Sequence, residues 1–225
     1  LPADLLEGGS KEAIRLGAGF LSTLAALVIG LMIASAKNTY DSQNTNIRQL
    51  GTNAVLVDQM LTQYGPEARA ARTLLREIIP SATARIWREN ISGKGGGSAF
   101  VDSEMAERFY RAAEGLEPAN AEQTSLKSRI IQLTTDMGRT RLLVFTQGDD
   151  AIPLPFFVVL VFWLVVIFAS FSLFAEPGLV VVASTLVFAL SVSSALFLIV
   201  DLSHPFQGFM QISNHHLHMV LPKIE

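Results

Sequence analysis

The amino-acid sequence predicts an all-α integral membrane protein: a bundle of three visible transmembrane helices carrying a cytoplasmic, coiled-coil-like helical stalk. Three observations support this. Half of the 225 residues are hydrophobic and only 16% are charged, which is too apolar for an ordinary soluble domain of this size. The 17 Lys+Arg and 20 Asp+Glu all avoid three stretches, residues 16–36, 151–175 and 177–200. Each stretch has the roughly 20 residues that a helix needs to cross about 30 Å of hydrocarbon. Finally, the hydrophilic middle repeats its apolar residues at intervals of 3 and 4, the signature of packed helices.

Residues 1–15 are read as an extracytoplasmic segment that leads into the first span, 16–36. That span follows Lys11 and Arg15 but has no convincing processing site after it, so it reads as a retained helix rather than a secretory signal. From Lys37 the apolar positions Ile47, Leu50, Ala54, Val57 and Leu61 continue the same helix as a heptad seam, giving one rod of about 45 residues. Tyr64-Gly65-Pro66-Glu67 ends it, with glycine as a C-terminal cap and proline opening the next helix. The second helix carries Ala68, Ala71, Leu75, Ile78 and Ala82, and Pro80 inside this run predicts a kink or break near Ile79. Gly93-Lys94-Gly95-Gly96-Gly97-Ser98 reads as a flexible loop; it lacks the spacing and the Ser/Thr after lysine of a phosphate-binding loop. A short helix over 103–115 follows, and a long one from about Ala119 shows Leu126, Ile130, Leu133, Met137 and Val144 on one seam. The outgoing and returning seams are expected to pack antiparallel, so that residues 37–152 form the helical domain.

Only Ala175-Glu176-Pro177-Gly178 separates the span at 153–175 from that at 177–200, which predicts an antiparallel hairpin. The middle domain and the tail, 201–225, then share one side of the membrane. Of the basic residues near the spans, Lys37, Arg48, Arg139 and Arg141 lie on that side and only Lys11 and Arg15 on the other, so that side is assigned to the cytoplasm.

The chemistry offered is sparse. Without cysteine there is no disulfide, thiolate metal site or thiol nucleophile. The net charge of −3 gives no basic footprint for nucleic acid. His215-His216-Leu217-His218 lies in the tail without a nearby carboxylate to support a metal, and serines occur without nucleophile-elbow spacing. No catalytic, cofactor or metal site is assigned. The small residues say more: Ala26, Gly30 and Ala34 form an i, i+4 ridge on the first span, and Ser184, Thr185, Ser191 and Ser194 form a hydroxyl strip on the third. Such strips let helices approach closely in lipid, either within the chain or against another subunit, and a hydroxyl wall is also compatible with ion passage. At the membrane edge Arg139 and Arg141 arrive as Asp201 leaves, readable as an ion pair or as an electropositive mouth.

Several segments resemble a bacterial membrane family labelled bestrophin-like: residues 16–37, Tyr64-Gly65-Pro66-Glu67-Ala68 with Arg72 and Leu75, Ile152-Pro153-Leu154-Pro155-Phe156, Phe168-Ala169-Ser170-Phe171, and Asp201-Leu202-Ser203-His204-Pro205-Phe206-Gln207-Gly208. The resemblance covers almost the whole chain in the family's order, although the His215–His218 ending departs from it. It implies a multi-pass protein of the bacterial inner membrane, distantly similar to bestrophins, which are pentameric anion channels with four membrane helices and a helical cytosolic region. It also implies a fourth span before the position of Leu1, with both termini then in the cytosol. No catalytic residues come with it. The expectation is therefore an oligomeric membrane protein, read as an anion channel, whose partners are the lipid bilayer and copies of itself. The alternative is a non-catalytic structural or accessory subunit of a larger membrane protein complex.

Overall fold

The computed structural model describes residues 8–92, 103–146, 154–174, 178–206 and 208–212. Among them every regular element is helical: α1 (Gly8–Tyr64), a 3-10 turn (Pro66–Ala68), α2 (Arg69–Ser92), α3 (Ser103–Glu114), α4 (Ala121–Thr146), α5 (Leu154–Phe174) and α6 (Leu179–Leu202). The chain divides into two compact units, Leu1–Thr39 with Ala151–Ser203, and Tyr40–Asp150 with His204–Glu225.

The first unit holds the uncharged stretches, and the three helices that enter it are long and apolar enough to cross a membrane. At 1.5 Å per residue, the 21 residues of α5 and 24 of α6 reach about 30–36 Å, a match to the hydrocarbon core. Their core is thin. Ala25 and Met32 of α1 meet Leu160, Leu164 and Ile167 of α5 and Ile199 of α6. Within this unit the buried positions of α1 are Ala18, Ala25, Met32 and Ala36, spaced 7, 7 and 4, so one stripe packs, flanked by the partly buried Leu21, Val28, Ile29 and Ile33.

The second unit is built on the heptad seam. Ile47, Leu50, Ala54, Val57 and Leu61 are all buried. The lower seam joins Val144, Phe145, Phe206 and Ile212, while the upper seam joins α2, Phe109 and Ala113 of α3, and Ile130 of α4. Two hydrogen bonds fix the register of α1 on α4. The Gln43 side-chain amide donates to the Val144 carbonyl, and the Gln123 amide donates to the Tyr64 carbonyl. From Gln43 to Tyr64 is 21 residues, and from Val144 back to Gln123 is also 21, so the helices run antiparallel without a slip.

At the elbow Gly65 sits at φ 119, which a side chain disfavours, and Pro66 opens the 3-10 turn. The returning helix begins with reciprocal capping: the Gln123 N–H donates to Asn120 Oδ1, and Gln123 Oε1 accepts from the Ala119 N–H. The Lys127 ammonium donates to the Leu116 carbonyl, closing the α3–α4 connection.

Two expectations are corrected. The first helix runs Gly8–Tyr64, 57 residues rather than about 45, and takes in half of the segment read as preceding the span. Of the kink or break expected near Ile79, the break does not occur: α2 continues through Pro80 to Ser92. Pro80 lies on the exposed face of α2, where water can meet the carbonyl that loses its helical donor to proline. In the tail, Phe206 and Ile212 belong to the core of the helical unit. There the Ile212 N–H donates to the Pro205 carbonyl across a turn in which Gly208 has φ 90. The Gly93–Ser98 loop and the Ala175–Gly178 reversal fall outside the described residues, apart from Gly178.

Candidate functional site

In the membrane unit the predicted strips share one property: they point away from the chain's own core. Ala26, Gly30 and Ala34 are exposed, as are Gly19 and Thr23 on the same ridge, and a Cβ placed on Gly19 or Gly30 would meet nothing within 4 Å. On α6, Ser184, Ser191 and Ser194 are exposed and Thr185 is half-buried. The intrachain contact uses a different stripe of α1, that of Ala25 and Met32.

Four hydroxyls on these faces are already hydrogen-bonded. Ser184 donates to the Val181 carbonyl, Ser191 to Val187, Ser194 to Leu190 and Thr23 to Gly19, at 2.8–3.1 Å. A face whose polar hydrogens are spent on its own backbone is tolerated by lipid. Each hydroxyl can also rotate toward an outside acceptor, exchanging one hydrogen bond for another at a net cost of about 1 kcal/mol or less. The arrangement therefore offers close helix approach and a row of switchable donors, with no fixed charge.

The helical unit contains a cluster that no single-residue pattern in the sequence marks. Asp58 is buried near the end of α1 and accepts two guanidinium forks. Arg72 Nε and Nη2 reach its two oxygens at 2.9 and 3.2 Å, and Arg76 Nε and Nη2 do so at 3.0 and 3.0 Å. Spacing i, i+4 puts both arginines on one face of α2. Burial alone would raise the Asp58 pKa, but the hydrogen bonds and positive charges of Arg76 and Arg72 outweigh it and hold the carboxyl down at about 2. Arg72 in turn is pushed above its ordinary range, chiefly by its hydrogen bond to Asp58. Two cations on one anion leave a local surplus of one positive charge. The signal available in the sequence was Asp58 immediately beside the seam residue Val57, followed by an Arg-x3-Arg pair; Arg72 also lies within the segments that resemble the bestrophin-like family.

Nearby, Tyr64 is buried in the core, and burial followed by the charges of Glu67 and Glu117 raises its pKa. Its hydroxyl has no hydrogen-bond partner among the described residues.

Of the residues expected at the membrane edge, Arg139 is exposed and Arg141 is half-buried with its guanidinium 5.7 Å from the centre of the Phe145 ring; both belong to the helical unit. Asp201 is buried at the end of α6 in the membrane unit, where the Ser203 hydroxyl and N–H both donate to the Ile199 carbonyl. The histidines at 215, 216 and 218 lie outside the described residues.

The sequence profile of the bestrophin-like domain matches residues 7–217. No curated protein and no solved structure matches the chain.

Proposed function

Because the chain belongs to the bestrophin-like family, we propose that it is the protomer of a homo-oligomeric anion channel in the bacterial cytoplasmic membrane. The supporting observation is the outward aim of the Ala26–Gly30–Ala34 ridge and of the Ser184, Ser191 and Ser194 strip. Small residues are of little use against lipid tails but let a second helix approach to backbone distance. Copies of the chain meeting on these faces would line an axial path with hydroxyl groups and no charge, through which an anion exchanges water for rotating O–H donors. The helical unit then lies on the cytoplasmic side, and Arg139 and Arg141 bring positive charge that raises the local anion concentration. Passage of an ion needs no catalytic residue and no resident cofactor, and none is assigned.

The exposed phenylalanines of α5, Phe156, Phe162 and Phe171, favour a second reading, in which the chain is an accessory subunit packed against other membrane proteins. Chloride efflux from liposomes containing the purified chain separates the two. Efflux that is lost in Gly30→Leu supports the channel. Silence over a range of voltages and calcium concentrations, with co-purification of other membrane proteins at fixed ratio, supports the accessory role.

A further inference from the structure

Among the described residues of the helical unit, five large apolar side chains are more than a third exposed: Leu56, Leu142, Leu143, Phe209 and Met210. Four of these gather at one end of the unit. Leu142 and Leu143 belong to the last turns of α4, and Phe209 and Met210 to the turn that follows α6. Phe206 and Ile212, on either side of that turn, are buried against Val144 and Phe145 of α4. The turn itself has a defined fold. The Ile212 N–H donates to the Pro205 carbonyl at 2.8 Å, the Gln211 amide donates to the Gly208 carbonyl at 3.2 Å, and Gly208 stands at φ 90. Phe209 is 89% exposed, the most exposed large apolar residue described in either unit. A turn tip that meets only water calls for polar residues. Here the core holds a phenylalanine and a methionine outward instead.

The chain itself places this end beside the bilayer. Phe209 comes seven residues after Leu202, the end of α6, within about 25 Å of fully extended chain. Gln43, which bonds the Val144 carbonyl, is six residues along α1 from Lys37, the first charge after the uncharged stretch. That is about 9 Å of helix, against a headgroup layer about 5–8 Å deep on each side of the hydrocarbon. Four partly exposed side chains also fall well short of the about 800 Å² per partner that a stable protein contact buries. Lipid needs no such complementary area, because attraction to the interface grows with each apolar group it takes up. We infer that the turn at Pro205–Ile212 is an interfacial anchor, whose Phe209 and Met210 enter the adjoining leaflet together with Leu142 and Leu143 of α4. The anchor rests on the membrane placement of the spans and is independent of ion conduction.

The test uses the full chain, which has no cysteine of its own, in vesicles of phosphatidylcholine and phosphatidylglycerol. A single nitroxide is placed at Phe209→Cys or Leu142→Cys, and its collisions with oxygen, which enters lipid, and with a nickel chelate, which stays in water, are measured. Thr73→Cys, exposed on α2, is the water reference, and Phe171→Cys, exposed on α5, is the lipid reference. The expected result is a gain of oxygen collisions and a loss of nickel collisions at both 209 and 142 relative to Thr73→Cys. In the Leu142→Cys protein the native phenylalanine is retained, and adding Phe209→Ser should shift the label at 142 back toward the water reference. Nickel collisions at 209 equal to those at Thr73→Cys would overturn the anchor, and so would a label at 142 indifferent to Phe209→Ser. Loss of collisions with both reagents at 209 would also overturn it, because the turn is then covered by protein, such as a second copy. A Phe171→Cys label that reads as water would overturn the anchor together with the membrane placement.

Discussion

Replacing Asp58 with asparagine removes one negative charge from between two guanidinium groups while hardly changing the side chain's volume. Asp58 holds Arg72 and Arg76 through four hydrogen bonds of 2.9–3.2 Å, and these tie the end of α1 to the first turns of α2. A carboxyl held at about 2 against an ordinary 3.8 reflects a preference of about 2–3 kcal/mol for the ionised form in the folded protein. The Asp58→Asn protein would forfeit that term and leave two half-buried cations facing each other, so the expected loss at pH 7 is about 3 kcal/mol. For a chain of this size, that lowers the melting temperature by about 6–12 °C. The pH dependence has a defined sign. A depressed carboxyl pKa stabilises the fold above the unfolded value of about 4, and the contribution is lost as the pH falls through about 2. The gap between wild type and Asp58→Asn should therefore stay constant from about pH 7 to 5 and close between about pH 4 and 2. Circular-dichroism melts of both proteins in a non-ionic detergent measure it. An Asp58→Asn protein that melts with wild type at pH 7, or a gap that does not shrink in acid, would refute the role given to this cluster.

Four further outcomes follow from the same structure. Leu61→Ala empties a fully buried seam position and should cost about 2–5 kcal/mol in the same melts. Gly65→Ala places a Cβ at φ 119 and 2.8 Å from Glu67 Oε2; the carboxylate can move but the backbone cannot, so a loss of about 1–2 kcal/mol is expected. Gln123→Ala removes an amide that bonds both Ala119 and Tyr64, and should cost about 1–2 kcal/mol, with faster hydrogen exchange at the start of α4. For the topology, the absence of native cysteine makes single-cysteine labelling clean. With only the outer membrane permeabilised, an impermeant maleimide should label Glu12→Cys, and it should label Thr73→Cys only after the inner membrane is lysed.

Much of this architecture was legible because water and hydrocarbon demand different residues. The uncharged runs had no alternative to burial or lipid, and the seam at Ile47, Leu50, Ala54, Val57 and Leu61 carried its packing face in its spacing. The Gly65-Pro66 elbow was equally readable, since few pairs other than glycine and proline make that turn. What stayed hidden had no local signature. The inward stripe of α5, Leu160, Leu164 and Ile167, could not be distinguished in a helix that is apolar all round. The Asp58–Arg72–Arg76 cluster needs a pairing across the elbow, 14 and 18 residues apart, which no periodicity announces. Pro80 reads as a kink or break because sequence does not say which face of α2 is solvated. The strips at Ala26, Gly30 and Ala34 and at Ser184, Ser191 and Ser194 were visible as composition; their outward direction came only from knowing which other stripe of α1 packs.

That outward direction is what the proposed assembly rests on, and the mass of the purified chain tests it most directly. Native mass spectrometry of wild type and Gly30→Leu, released from a mild detergent, is the decisive comparison. The expected result is a closed homo-oligomer for wild type and its dissociation to folded monomers when leucine stands on the ridge. A wild-type protein that is monomeric under these conditions, or an oligomer indifferent to Gly30→Leu, would contradict it.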